Sequence, residues 1–599
     1  MQYLIKHKKV IILLILLVAG LIIYGNSFNN EFFWDDNDSI VNNIYIKDWQ
    51  NFSKFFSENL IAGAGQTSNY WRPVLLISFA LDYHIFGLNP FGFHLINTLL
   101  HIFVAWLVFI ILHLLLKKNQ KKLSDIFQEI SKFYILPFLV SLFFLIHPLQ
   151  TEAVSYIAGR ADPLSSVFFL LAILFYLIYR LNKNKLIWQY GLALLFFIFG
   201  LFTKEQVILL PGIILLIEII LLTKKFNKES IIKILKLILP FVLISASYFL
   251  IRVFLLDFND LLSGTEYQPD YDQNILFRFF TFTYVMILYF KLLFIPFSLQ
   301  MAPEVPVITS FFTYSVLVFV IIFIDIIIIS ILTWRKNRFI AFGFLWFILI
   351  LLPRINIISI NRPMYEHWLY LPMIGFWLAL FSLLALLFQY IKTKIPKQSI
   401  LLVYLGLVII IVYFFGFSIL TIKRNNDWQN PISFYEKNLR NTPSSYIQHN
   451  NLGMAYAEAG REEEAINEYK KAIALKDIYP QVHYNLANSL KALNRFDEAI
   501  KEYEEALKIS PNFLLAYNNL LSIYVEKSDQ EKVGELINKM SIAYSRSSDF
   551  LLIAGAAYYN LTEYELAIKY WRELLENDPG NLAVRELVSK AKLLIKNNE

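Results

Sequence analysis

Apolar residues in this chain come in long runs rather than in alternation, and the runs have the length of a membrane crossing, roughly 20 residues of helix for a hydrocarbon core of about 30 Å. The first, Ile11 to Tyr24, follows Lys6, Lys8 and Lys9 and is not trailed by a small-x-small cleavage site, so it reads as a retained anchor. Eleven spans are predicted. They are Val10 to Tyr24, Gly92 to Leu116, Tyr134 to Ile146, Leu164 to Leu181, Leu186 to Thr203, Val207 to Leu222, Leu235 to Leu256, Phe311 to Trp334, Phe339 to Leu352, Trp368 to Tyr390 and Ile400 to Ile422. Two other apolar stretches read as helices lying at the interface. Pro73 to Phe86 is short and holds Asp82 and His84, and Leu276 to Phe297 holds Arg278 and Lys291 in a loop rich in Asp and Pro.

Beyond Lys423 the pattern changes to Glu, Lys, Ala and Tyr with a strict repeat. Leu452-Gly453, Leu486-Ala487 and Leu520-Leu521 recur every 34 residues, the period of tetratricopeptide (TPR) helix pairs. Tyr456, Ala465, Tyr469 and Ala472 complete a first unit, and Ala499, Tyr503, Ala506 and Pro511 a second. A third unit is degenerate, while Gly555, Tyr558, Ala567, Trp571 and Pro579 mark a fourth. The expected fold is therefore all-α: a polytopic helical bundle over 1–425 and a TPR α-solenoid over 426–599. Stacked units of this kind build a concave surface, which serves either as a scaffold or as a groove for a polypeptide.

Charge sets the expected topology. With eleven spans, the basic clusters Lys117 to Lys122, Arg180 to Lys185, Lys224 to Lys236, Arg335 to Arg338 and Lys392 to Lys397 share the side of the N-terminus, which the positive-inside rule makes cytoplasmic. Loops 26–92, 148–162, 257–310 and 354–367 then lie on the exterior, as does the TPR array. The formal charge of +7 is spent on this topology, so nucleic acid is not an expected partner. The 57% hydrophobic content, with only 17% charged residues and 54 Phe, exceeds what one globular core holds, and membrane lipid must cover the excess. Without any Cys, disulfides, thiolate catalysis and Cys-ligated metals are excluded.

Candidate chemistry lies in charges that topology does not explain. The first exterior loop has Trp34-Asp35-Asp36-Asn37-Asp38, the second has His147, Glu152, Arg160 and Asp162, a tight turn has Lys204-Glu205-Gln206, and the late loop has Arg354, Asn361, Arg362, Glu366 and His367. Singly, each has a structural explanation: Asp38 and Asp162 as helix caps, His147-Pro148 as a helix stop, Lys204 and Glu205 as a solvated turn. Gathered on one face, they describe an exterior active site.

Five segments, WDDNDSIVNN (Trp34 to Asn43), NYWRPVLLISFALDY (Asn69 to Tyr83), HPLQTEAVSYIAGRAD (His147 to Asp162), TKEQ (Thr203 to Gln206) and RPMYEHWLYLP (Arg362 to Pro372), resemble in order those of the transmembrane and TPR-repeat-containing protein O-mannosyltransferases. The resemblance implies a GT-C glycosyltransferase fold and transfer from a polyprenyl-phosphate-linked sugar on the exterior side. It implies Asp35, or its neighbour Asp36, as the catalytic acidic residue, and His147, Glu152, Arg160 and Asp162 as the second-loop part of the site. The Ile-, Asn- and Lys-rich composition reads as bacterial, with a plasma-membrane location and a carrier shorter than dolichol.

The chemistry asks for few parts. A carboxylate accepts the proton of an acceptor hydroxyl as it attacks the anomeric carbon, with inversion, and cations stabilise the leaving phosphate. Asp35 is the expected base; Arg362, Arg160 and Lys204 are expected at the phosphate, with Arg72 and Glu205 beside them. No cofactor is expected, although carboxylates alone do not distinguish a base from a divalent-metal site held by Asp35 and Glu152. The expected partners are a polyprenyl-phosphate sugar, a polypeptide acceptor in the TPR groove and membrane lipid. Rival readings are a non-enzymatic membrane scaffold and a GT-C transferase that acts on a lipid or glycan.

Overall fold

Roughly 20-residue apolar runs satisfy their own backbone only as helices, and no strand occurs among the described residues. The structure, a computed structural model, describes all residues except 1–7, 120–133, 224–226, 256–270, 272–273, 302, 356–361, 545–546 and 599. Parts of the 257–310 and 354–367 loops, including Asn361, thus fall outside the described residues. The chain forms two compact units, Met1–Asn430 and Pro431–Glu599.

The first unit contains α1 (Lys8–Tyr24), α2 (Pro73–Phe86), α3 (Pro90–Asn119), α4 (Ile135–Ile146), α5 (Ala161–Leu181) and α6 (Ile187–Leu201). It continues with α7 (Glu205–Leu222), α8 (Lys228–Phe254), α9 (Ile275–Phe294), α10 (Tyr314–Thr333), α11 (Arg338–Ile355), α12 (Pro372–Lys394) and α13 (Pro396–Asn425). Among the described residues, ten helices are long and apolar enough to cross a membrane, or eleven if α4 and the segment Pro148–Val154, bent from it by 57°, form one span. The protein is thus a multi-pass helical bundle with close to the expected number of crossings.

Two helices differ from the pattern their sequences suggest. Helix α9 passes the length test, yet both its ends meet one face of the bundle. Near its start, the Thr281 hydroxyl accepts from Ile308 N–H (3.0 Å) just before α10; near its end, the Leu293 carbonyl lies 3.1 Å from His147 Nε2 and Tyr289 donates to the Tyr365 carbonyl (2.8 Å). Phe319 in α10 packs with Leu351 and Leu352 at the end of α11, so the start of α10 shares that face. This face, where α1, α4 and α11 end, is called the loop face below. Helix α6, with only 15 residues, pairs antiparallel with α5 along its length, through Tyr179–Tyr190 (5.3 Å), Phe175–Phe196 (5.4 Å) and Phe168–Phe199 (5.7 Å). It is shorter than the span expected over Leu186 to Thr203 and is not among the ten helices long enough to cross.

A continuous apolar core runs through α3, α4, α5, α7, α11 and α12. Gly343 and Gly375 let α11 and α12 meet backbone to backbone, where a Cβ on either would collide with the other helix. Two buried polar clusters in this core are paired: Glu218 takes Arg180 in a fork (2.7 and 3.1 Å) plus the Tyr176 hydroxyl (2.8 Å), and His101 sits between Tyr370 Oη (2.7 Å) and the Leu145 carbonyl (3.1 Å).

The second unit starts with α14 (Pro431–Asn441). Four helix pairs follow: α15 (Tyr446–Glu458) with α16 (Glu462–Leu475), α17 (Pro480–Ala492) with α18 (Phe496–Ile509), α19 (Leu514–Glu526) with α20 (Gln530–Tyr544), and α21 (Ser548–Asn560) with α22 (Tyr564–Asn577). Helix α23 (Leu582–Asn598) ends it. The degenerate third pair closes with branched and flexible aliphatic side chains, burying Val533, Ile537 and Met540 where the first pair buries Ala465, Tyr469 and Ala472. His449 and His483 stand at equivalent places, each facing a helix-B carboxylate, Glu468 at 2.5 Å and Glu502 at 2.6 Å.

Candidate functional site

The long first loop is itself folded. Ile40, Tyr45, Ile46, Phe55 and Leu60 pack on Leu75, Leu76 and Phe79 of α2, on Phe93 of α3 and on Ile157, a small core distinct from that of the spans. Helix α2 belongs to this layer and its Asp82, 2.5 Å from Arg160, ties it down. The end of α13 is stitched to the start of the same loop: the Asn425 side chain donates to the Ile23 carbonyl (2.8 Å) and to Asn26 (2.8 Å) and accepts from the Ser155 hydroxyl (2.7 Å), while Asn30 donates to the Asn425 carbonyl (3.1 Å).

On this frame stands an aromatic column. Trp34 stacks on Tyr156 (5.7 Å, 24°), and Tyr156 stacks on the fully buried Trp428 (5.4 Å, 20°). Trp34 has φ +56°, a left-handed conformation costly for a bulky residue, and the backbone N–H of Asp35 beyond it donates to Tyr156 Oη (3.1 Å). The two adjacent acids separate here. Asp36 is buried, accepting from Ala158 N–H (2.7 Å) and Phe33 N–H (3.3 Å), so it clamps the first loop to the second. Asp35 keeps an exposed carboxylate. The protein packed around it raises its pKa to about 6; a hydrogen bond between its side chain and the Tyr156 hydroxyl opposes the rise, Asp38 adds to it and Arg72 opposes it.

The second loop divides in the same way. Arg160 is fully buried and all three of its nitrogens are engaged, by Asn97 (2.6 Å), the Ser78 carbonyl (3.4 Å), the Phe93 carbonyl (3.0 Å) and Asp82. It holds the loop layer together, and its full burial leaves it no open side for a phosphate. Both ring nitrogens of His147 are likewise engaged, Nδ1 accepting from Leu149 N–H (3.2 Å) and Nε2 facing the Leu293 carbonyl, which makes it the joint between α4 and α9. Glu152 accepts the His367 backbone N–H (3.0 Å) and lies 2.6 Å from its Nδ1, joining the second and late loops. Burial first, then Asp162, raises Glu152 to about 8; burial, then Lys204, lowers His367 to about 3, so both are neutral near pH 7.

Cations crowd beside this pair. Lys204 meets Asp162 (2.6 Å), and Glu205 is shared between Arg72 (3.0 Å) and Arg252 (3.0 Å). Arg354 lies over Trp368 (4.2 Å) without an ion pair among the described residues. Burial first, then Arg72 and Arg354, lowers the Lys204 pKa against the pull of Asp162. Four cations thus face two carboxylates, an excess of positive charge suited to an anion. Arg362 lies near Tyr365, whose hydroxyl it influences. Among the described residues, no group of three or more His, Asp or Glu is placed to hold a metal ion.

Sequence reasoning missed Arg252, which it placed inside a span; the signal was there, since Arg252 is the one charge in an apolar run from Leu237 to Leu255. Tyr156, Asn425 and Trp428 carried no such signal, because an aromatic ring or an amide near a span end is ordinary.

Models of the tetratricopeptide repeat match residues 453–493, 480–513 and 549–581. A curated relative from Caenorhabditis elegans, protein O-mannosyl-transferase F38B6.6, is 28% identical over 470 residues, covering 77% of this chain and 62% of its own length. Protein O-mannosyl-transferase TMTC1 from Mus musculus is 34% identical over 26% of this chain and 16% of its own length. The chain therefore spans less than two thirds of the length of these relatives. Among solved structures, a crystal structure of MamA aligns with 25% of this chain and 86% of its own, at 23% identity and a TM-score of 0.23. The resemblance carried by the five sequence segments is thus matched by homologues named protein O-mannosyl-transferases, with TPR repeats where the period placed them.

Proposed function

We propose that the protein transfers a hexose from a polyprenyl-phosphate donor to Ser or Thr hydroxyls of polypeptides, at the loop face, with inversion. The observation that carries this is the contrast among its acids: Asp36 is buried on two backbone N–H groups and Glu152 is buried against His367, both held inward, whereas Asp35 is exposed, with its pKa raised only to about 6 and within the field of Arg72. Asp35 takes the proton of the acceptor hydroxyl as its oxygen bonds to the anomeric carbon; the bond from that carbon to the phosphate oxygen breaks and its electron pair leaves with the lipid phosphate. Arg72, Lys204, Arg252 and Arg354 supply the positive field for that phosphate, at helix ends where an isoprenoid tail reaches lipid directly. Homologues named as O-mannosyl-transferases favour mannose and a protein acceptor, and the TPR array supplies a surface for a polypeptide.

The loop face is the exterior one under the positive-inside rule, because the basic turns Lys183 to Lys185 and Arg335 to Arg338 lie at the opposite ends of the helices. The test uses purified full-length protein and a polyprenyl-phosphate mannose. Asp35→Asn should abolish transfer with thermal stability unchanged, and Asp36→Asn should lower stability through its two lost or weakened clamps while retaining transfer at low temperature. Full activity of Asp35→Asn would remove the first loop from the chemistry.

A further inference from the structure

We infer that the free face of Trp34 is the platform on which the donor's hexose ring stacks, so that this residue selects the sugar rather than the lipid phosphate. The inference rests on the transfer reading above and names a subsite within it. Trp34 is 38% exposed although its neighbours Phe33 and Asp36 are buried. One face of its indole is occupied by Tyr156, itself backed by Trp428, so the ring is held flat by a column that reaches the end of α13. Among the described residues no second ring stacks on Trp34, which is more than a third exposed. A pyranose presents a patch of C–H groups on one side of its ring, and such a patch packs on a flat aromatic face as apolar surface while its hydroxyls stay in water.

The backbone points the same way. A bulky residue at φ +56° is strained relative to an ordinary conformation, and the structure accepts that strain at Trp34, where Gly would incur none. The conformation turns the indole out of the first-loop core while Asp35, next in the chain, stays tethered to Tyr156. The anomeric carbon must lie within reach of a hydroxyl that Asp35 deprotonates. The ring bearing that carbon therefore passes within one residue's length of Trp34. The cations Arg72, Lys204 and Arg354 belong to the phosphate, and no aromatic ring other than that of Trp34 adjoins Asp35 in the chain with an exposed face.

The test separates sugar from carrier. In full-length protein, Trp34→Leu should raise KM for polyprenyl-phosphate mannose about tenfold, while the inhibition constant of polyprenyl phosphate without sugar stays within about twofold. Trp34→Phe, which keeps a stacking face, should recover most of the loss and shows whether the Leu variant suffers from misfolding instead. Equal weakening of both ligands, or an unchanged KM in Trp34→Leu, would overturn the inference. A wild-type protein that neither transfers from nor binds the donor would instead overturn the donor reading itself.

Discussion

Tyr156→Phe is a one-atom change whose size follows from the site's own geometry. The segment Trp34-Asp35 is held by two contacts to Tyr156: a ring stack at 5.7 Å and a hydrogen bond of 3.1 Å from Asp35 N–H to the hydroxyl. Such a stack contributes about 0.5–1.5 kcal/mol and a partly buried hydrogen bond a similar amount, about 1 kcal/mol net. Against them stands the left-handed backbone at Trp34, about 1–2 kcal/mol. With both contacts the aligned conformer prevails; with the stack alone the terms nearly cancel. Removing about 1 kcal/mol shifts a two-state balance about fivefold. The aligned fraction then falls from about four-fifths to about one-half, so transfer by Tyr156→Phe should fall about twofold in kcat, and Tyr156→Ala, which loses both contacts, should fall roughly tenfold. The assay is sugar transfer at saturating donor, with thermal unfolding of the same preparations as control. Wild-type kcat in a stably folded Tyr156→Phe would show that the bond does not aim Asp35, and the account of the strained turn would fail with it.

Other outcomes follow from the same structure. Because the Asp35 pKa is raised to about 6 chiefly by burial, kcat/KM should fall as pH drops through about 6, and Asp35→Glu should move that limb; a flat profile from pH 5 to 8 would exclude Asp35 as base. In the second unit, burial lowers His483 but hydrogen bonds to Glu502 and Asp477 raise it more, so its pKa is higher folded than unfolded. Its contribution to stability is complete below pH 6.5 and is lost as pH rises through the folded value; denaturation of wild type and His483→Gln should converge in alkali, and parallel curves would refute the pairing. With no native Cys, a Cys introduced at Ser510 should react with an impermeant thiol reagent in intact cells, and labelling only after lysis would invert the topology.

The fold was legible because its two signals are strong and cheap to read: apolar runs of bilayer length, and a 34-residue period marked by small residues such as Gly453 and Ala465 where helices touch. The sites were legible only as a neighbourhood. Sequence favours Asp35 over Asp36 only by resemblance, and the fold adds that two backbone N–H groups occupy the buried Asp36 while Asp35 is exposed. The same holds for Arg160 and Arg354: both are arginines near span ends, but the first is buried on Asn97, Ser78, Phe93 and Asp82 while the second lies over Trp368 without an ion pair among the described residues. Hydrogen-bond satisfaction is a property of three-dimensional partners hundreds of residues apart, and no local pattern encodes it.

One such long-range contact decides a question that counting spans leaves open. The number of crossings depends on how α4, α6 and α9 are scored, and each choice alters the count. Asn425 avoids the count altogether. Its side chain bonds the Ile23 carbonyl and Asn26, so the end of the last long helix of this unit lies beside the end of the first. Helix α1 starts on the opposite face and ends on the loop face. A chain that returns to the loop face after starting on the other has crossed an odd number of times, whatever the fate of the ambiguous stretches. The Thr421 hydroxyl, 2.6 Å from the Ile146 carbonyl at the end of α4, places a third helix end on the same level. The last helix of the first unit therefore ends on the face that carries Asp35, and hydrogen bonding rather than charge statistics places it there.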